Sequence, residues 1–72
     1  MRIKINGNEE IIEKPLSLAE LAGLKNISPE KAVIEHNLRI TAKEEWPKII
    51  LKENDNVEIV SFLGGGEKWK IS

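Results

Sequence analysis

Apolar and polar residues alternate at the start of the chain, with Ile3 and Ile5 set between Arg2 and Lys4. A period of two is the pattern of a half-buried β-strand. Asn6-Gly7 follows, and both positions accept φ > 0, so a tight type I′ hairpin turn is predicted there. A return strand is expected over residues 9–14, with Ile11 and Ile12 as its apolar content, ended by Pro15. The period then changes. Leu18, Leu21 and Leu24 recur every third residue and form an apolar helical stripe. Ser17 and Glu20 stand in the positions of a capping box, in which the hydroxyl accepts from the Glu20 amide and the carboxylate reaches back to Ser17. The spacing predicts a short helix over 18–24, weakened by Gly23 and closed before Ser28-Pro29.

Downstream, Ala32-Val33-Ile34-Glu35-His36 reads as a strand, Asn37 as a turn and residues 38–40 as a brief strand. Thr41-Ala42-Lys43-Glu44 matches a second capping box and predicts one helical turn, stopped by Pro47 just after Trp46. Ile49-Ile50-Leu51 is expected as a short apolar strand. Glu53-Asn54-Asp55-Asn56 has turn composition, and residues 57–63 form the last strand. Strands gathered around one real helix predict an α+β fold, a mixed sheet of four to five strands with one main helix across one face. The expected core is Ile3, Ile5, Leu18, Leu21, Leu24, Ile34, Leu51, Val57 and Ile59, with Glu58 turned to water so that its neighbours face inward.

At 72 residues the chain is close to the lower limit for a domain that folds unaided. It has no Cys and one His, which excludes disulfides, a cysteine nucleophile and a multi-histidine zinc site built by one chain. Eleven basic residues against twelve acidic ones leave a net charge of −1, without the basic surplus of a nucleic-acid binder. There is no apolar run of membrane-spanning length and no signal-peptide core at the N-terminus, so the expected location is the cytoplasm. His36 lacks a nucleophilic partner in sequence and is read as a structural or solvent-facing strand-end residue. Trp46 is read as covering one edge of the core. The 53–56 turn superficially suggests calcium but lacks the ligand spacing of a calcium loop. Without a nucleophile–base pair, a metal cluster or a phosphate loop in the sequence, the chain is not expected to be an enzyme.

The candidate for chemistry is Gly64-Gly65-Gly66, placed directly after the last strand, a tail of the kind that a chain reacting through its own C-terminal carboxyl would need. Three glycines break a strand and leave a narrow peptide with no Cβ to hinder access to its carbonyl carbons. Residues 63–66 extend at most ~13–14 Å at ~3.3–3.6 Å per residue, enough to thread into a cleft while the folded body stays outside.

In this order and spacing, several elements resemble the ThiS family of sulfur carriers in thiamine biosynthesis. They are Ile3-Lys4-Ile5-Asn6-Gly7, Ser17-Leu18-Ala19-Glu20-Leu21, Ala32-Val33-Ile34-Glu35-His36-Asn37, Ile40, Glu45-Trp46, Asp55, and Val57-Glu58-Ile59-Val60 leading to the glycines. The resemblance covers residues 1–66 and implies a ubiquitin-like β-grasp domain, with 67–72 as a C-terminal extension. It also implies a carrier whose C-terminal glycine carboxyl is adenylated by an E1-like, ThiF-like partner. That partner binds the ATP, and no cofactor is expected on this chain. Sulfur from a cysteine desulfurase then makes a thiocarboxylate, which a ThiG-like thiazole synthase uses to build the thiazole ring. Carried onto this sequence, Gly66 bears the thiocarboxylate, Gly64 and Gly65 form the flexible lead, and Phe62 and Leu63 at its base dock on partner enzymes.

The sequence departs from the family by continuing past the glycines. While Glu67 is attached, Gly66 has no free carboxyl, so a peptidase that removes residues 67–72 joins the expected partners. Trp69 and Ile71 alternate with Lys68 and Lys70, which suits either an added strand or an exposed end; because termini are usually poorly ordered, the exposed end is expected. Two other functions compete with thiazole formation. One is a sulfur carrier for molybdopterin or another pathway. The other is a β-grasp binding module that is never activated.

Overall fold

A computed structural model describes residues 1–62 and 69–71. The described elements follow one another as strands β1 (Arg2–Ile5) and β2 (Asn8–Ile11), helix α1 (Leu18–Leu24), and strands β3 (Ala32–His36), β4 (Arg39–Thr41), β5 (Asn56–Phe62) and β6 (Trp69–Ile71). Short 3₁₀ segments, Pro29–Lys31 and Lys43–Lys48, precede β3 and follow β4. The sheet order is β2-β1-β5-β3-β4, with β6 also paired to β5. β5 runs parallel to β1 and antiparallel to β3 and β6, so the sheet is mixed, and α1 packs across one face of it.

The N-terminal hairpin forms as the alternation predicts. Asn6 and Gly7 adopt φ of 52° and 85°, the left-handed region that a type I′ turn requires. The return strand is shorter than expected and ends at Ile11. Ile12 instead joins the core, and its amide donates to the Met1 carbonyl. Helix α1 occupies the expected residues, and both bonds of its capping box are present: Ser17 Oγ accepts from the Glu20 amide and a Glu20 carboxylate oxygen accepts from the Ser17 amide.

Ile3, Ile5, Leu18, Leu21, Ile34, Leu51, Val57 and Ile59 are buried as expected. Leu24 is not, and remains 71% exposed. Each helical residue advances about 100°, so a stripe at every third position drifts round the helix. Positions 18, 21 and 22 bracket the sheet, and Ala22 takes the place assigned to Leu24. Trp46 is not an edge cover but a core residue, 2% exposed. Its indole Nε1 donates to Thr41 Oγ1, and that hydroxyl donates to the Ile34 carbonyl. The Thr41 oxygen is therefore committed to the core, the second capping box does not form, and Ala42 begins the 3₁₀ segment without a side-chain cap. Residues 49–51 form no strand. A single bridge, Ser17 to Ile50, and backbone bonds from Leu18 to Ile49 and from Leu51 to Leu16 tie them to the start of α1.

Candidate functional site

The residues expected to do the chemistry, Gly64, Gly65 and Gly66, and Leu63 beside them, lie outside the described residues. Phe62 ends β5. Three features of the sheet around the strand that leads to this segment bear on function.

The first is the anchorage where β5 begins. Asp55, only 7% exposed, sits in the turn before the strand. Its Oδ2 accepts from His36 Nε2 at 2.9 Å and from the Lys52 amide at 2.9 Å, and its Oδ1 accepts from Asn37 Nδ2 at 3.1 Å. A carboxylate only accepts, so His36 carries its proton on Nε2. Burial pushes the Asp55 carboxyl up, but the hydrogen bonds from His36, Asn37 and the Lys52 amide outweigh it and hold the group below the ordinary aspartate value. Asn37 Oδ1 also accepts from the Asn56 amide, which binds the β3–β4 turn to the first residue of β5. His36 is thus structural, as expected. Asn37 and Leu38 make that turn with φ of 50° and 71°; this displaces the brief strand to Arg39–Thr41.

The second feature is the face turned away from the helix. Val33, Glu35 and Ile40 lie there beside Glu58 and Val60, around a shallow depression of ≈ 290 Å³. The register places Val33 opposite Val60, Glu35 opposite Glu58 and Glu35 opposite Ile40. Ile40 is 67% exposed and Glu58 faces water as predicted. An exposed apolar strip is thus flanked by two carboxylates set directly across from each other, an arrangement that is unfavourable in isolation.

The third is the far end of β5, where β6 pairs with it in the register Val60 to Ile71, Ser61 to Lys70 and Phe62 to Trp69. The expected exposed end at residues 69–71 is therefore corrected: the alternation of Trp69, Lys70 and Ile71 is that of a strand. The signal was present in the sequence but was outweighed by the usual disorder of chain ends. Among the described residues there is no group of acidic, His or Cys side chains placed to hold a metal, and no helix is long and apolar enough to cross a membrane.

Comparison with known proteins gives this geometry a context. The ThiS family model matches residues 2–66. A thiazole synthase of Paramagnetospirillum magneticum is 32% identical over 66 residues, which are 92% of this chain but 20% of that protein. The chain thus spans about one fifth of the length of the thiazole synthases it matches. An uncharacterised protein of Trieres chinensis, ycf40, is 36% identical over 62 residues, covering 86% of this chain and 85% of its own length. The crystal structure of a thiamine biosynthesis protein (ThiS) from Geobacter metallireducens superposes with a TM-score of 0.76 at 29% identity, over 92% of this chain and 100% of that one.

Proposed function

The chain belongs to the ThiS family, and from that premise we propose that it carries sulfur for thiamine biosynthesis as a thiocarboxylate on Gly66. The reading is supported above all by the extent of the family match, which runs from the first strand through the third glycine at residue 66. The β-grasp body supplies the presentation, since β5 is embedded between β1 and β3 and ends at Phe62, two residues before the first glycine in sequence.

A carboxylate is a poor acyl donor. Attack of the Gly66 carboxylate oxygen on the α-phosphorus of ATP, in a ThiF-like partner, expels pyrophosphate and gives an acyl-adenylate. The terminal sulfur of a persulfide made by a cysteine desulfurase then displaces AMP, and a thiol reductant cleaves the S–S bond of the resulting acyl disulfide, leaving the thiocarboxylate on Gly66 and a disulfide on the donor side. Transfer to a thiazole synthase as acceptor is supported by the relatives of that name, one fifth of whose length this chain matches. The apolar strip of Val33 on β3, Ile40 on β4 and Val60 on β5 shares one sheet face with the strand that leads to the glycines and suits a docking role, together with Phe62 and Leu63 at the end of that strand. A peptidase must first release residues 67–72, because an amide at Gly66 offers no carboxylate to adenylate.

The test uses a chain ended at Gly66, an activating ThiF-like enzyme and ATP. Intact mass is expected to show an acyl-adenylate on the shortened chain and none on the full-length one. A folded shortened chain that never gains the adduct contradicts the reading and leaves the binding-module alternative, in which deleting Gly65 onward has no effect on function.

A further inference from the structure

The edge of β5 is filled by three different parts of the chain in succession. β1 pairs with Asn56 and Val57 and then turns away at Asn6-Gly7. The Asn6 amide still donates to the Val57 carbonyl, and its side-chain Oδ1 accepts from the Ile59 amide at 2.8 Å. Beyond that point β1 has nothing to offer. Peptide groups along a strand face alternate sides, so the groups of residues 57, 59 and 61 all face this edge. Ser61 is met there by Lys70 of β6, as a pair that exchanges both backbone hydrogen bonds.

The added strand matches its site in sequence as well as in backbone. Its register sets Ile71 against Val60 and Trp69 against Phe62, with Lys70 between them against Ser61. Val33 lies on the other side of Val60, so an apolar row crosses β3, β5 and β6. An arbitrary tail has no reason to reproduce this alternation in phase with β5.

We propose that β6 is an autoinhibitory strand: paired to β5 along Val60, Ser61 and Phe62, it fills the edge on which an extended partner segment would add and keeps Trp69 and Lys70 from any enzyme that must take them as an extended peptide. This rests on the carrier reading for its purpose but not for its test. In this arrangement Phe62 and Trp69 are direct neighbours across the sheet, whereas a peptidase or an activating cleft requires the chain drawn out. Detachment of β6 precedes processing, and processing frees the edge of β5 at Ser61, where an extended segment of the next partner can add as β6 did.

Trypsin is a suitable probe because Lys68 immediately precedes β6, and cleavage after it needs Trp69 and Lys70 in the enzyme's cleft. The comparison is between Lys70→Ala and Lys70→Pro. Both remove the second tryptic site near the end, but only proline deletes the amide that Lys70 offers to Ser61. Cleavage after Lys68 is expected about tenfold faster in Lys70→Pro, the scale of one lost net hydrogen bond, and the Ser61 amide is expected to exchange with solvent faster by a similar factor. Unchanged exchange at the Ile34 and Ile59 amides verifies the fold.

A double variant, Ser61→Cys with Lys70→Cys, supplies the opposite arm. The chain has no cysteine of its own, and a directly opposed hydrogen-bonded pair lies about 5.5 Å apart at Cα, within the range of a disulfide. The oxidised chain is expected to resist cleavage after Lys68 and the reduced chain to regain it. Equal cleavage of Lys70→Pro and Lys70→Ala, or equal cleavage of oxidised and reduced double variant, overturns the proposal. None of these readouts involves adenylation, so a chain that passes them but is not activated after ending at Gly66 refutes the carrier reading alone.

Discussion

Where β5 begins, Asp55 and Asn56 are tied by side chains to His36, Asn37 and the Lys52 amide, and β1 and β3 flank the strand on both sides. Where it ends, β1 has gone, and the edge it leaves is filled by three residues of β6. One half is fixed by the hydrogen bonds gathered on buried Asp55 and by Val57 and Ile59 in the core; the other is paired to a strand of three residues. A three-residue pairing is marginal by itself and persists because it adds to an existing sheet. The difference separates two tasks along one strand: the first half keeps the body rigid, and the second, on the proposed carrier reading, leads to the segment that reacts.

The largest expected effect breaks the fixed half outright. Ile59→Ala empties a fully buried position and costs about 2–5 kcal/mol, comparable with the whole stability of a domain this small at roughly 3–5 kcal/mol. Its neighbour Val60, on the opposite face, is expected to lose about 1 kcal/mol or less on truncation to Ala. Urea melts of the two variants measure the contrast, and similar losses would erase it.

Asp55→Asn comes next, at about 1–3 kcal/mol for disturbing a buried, hydrogen-bonded carboxylate. The folded state lowers the Asp55 pKa, so its contribution is present above the ordinary aspartate value near 3.9 and is lost as pH falls through the lower folded value. In that window the unfolded state binds more protons, and stability falls with falling pH. Urea midpoints followed down through this acid range are expected to show a smaller acid loss in Asp55→Asn than in the parent chain.

Asn6→Gly keeps the positive φ of the turn but deletes the acceptor for the Ile59 amide. A loss of about 1 kcal/mol is expected, with faster hydrogen exchange at Ile59. Glu58→Gln carries the smallest effect and the opposite sign. Removing one of two carboxylates that face each other at Glu35 and Glu58 is expected to stabilise the chain by a few tenths of a kcal/mol. The gain should shrink in high salt, where exposed charges are already screened.

Much of this organisation is legible in the residue pattern because local rules and tertiary packing agree. The Asn6-Gly7 turn, the Ser17/Glu20 box, the Ala32–His36 strand and the inward phase of Val57 and Ile59 are all settled by backbone preference or by a period of two or 3.6. Legibility fails where one residue has two plausible uses. Thr41 looks like a helix cap, but a buried tryptophan and a strand carbonyl claim its hydroxyl. Leu24 continues a leucine spacing that helical geometry carries away from the sheet. Ile49-Ile50-Leu51 is apolar enough for a strand, yet its bonds go to the start of α1 and amount to one bridge. Asp55 reads as a turn residue, and nothing local reveals that His36 and Asn37, far away in sequence, will surround it. The candidate site is legible in a different sense. Gly64, Gly65 and Gly66 stand out as a run without side chains after an apolar strand, and the family match ends on them, whereas the pairing of β6 with β5 depends on a register that only the folded sheet defines.

The most direct test of the central claim, that a bared glycine carboxyl on a rigid body is the working group, is the intact mass of the protein isolated from its own cells. The account predicts chains that end at Gly66, among them a species in which one oxygen is replaced by sulfur. A population that retains residues 67–72 throughout, in cells actively making thiamine, would contradict it.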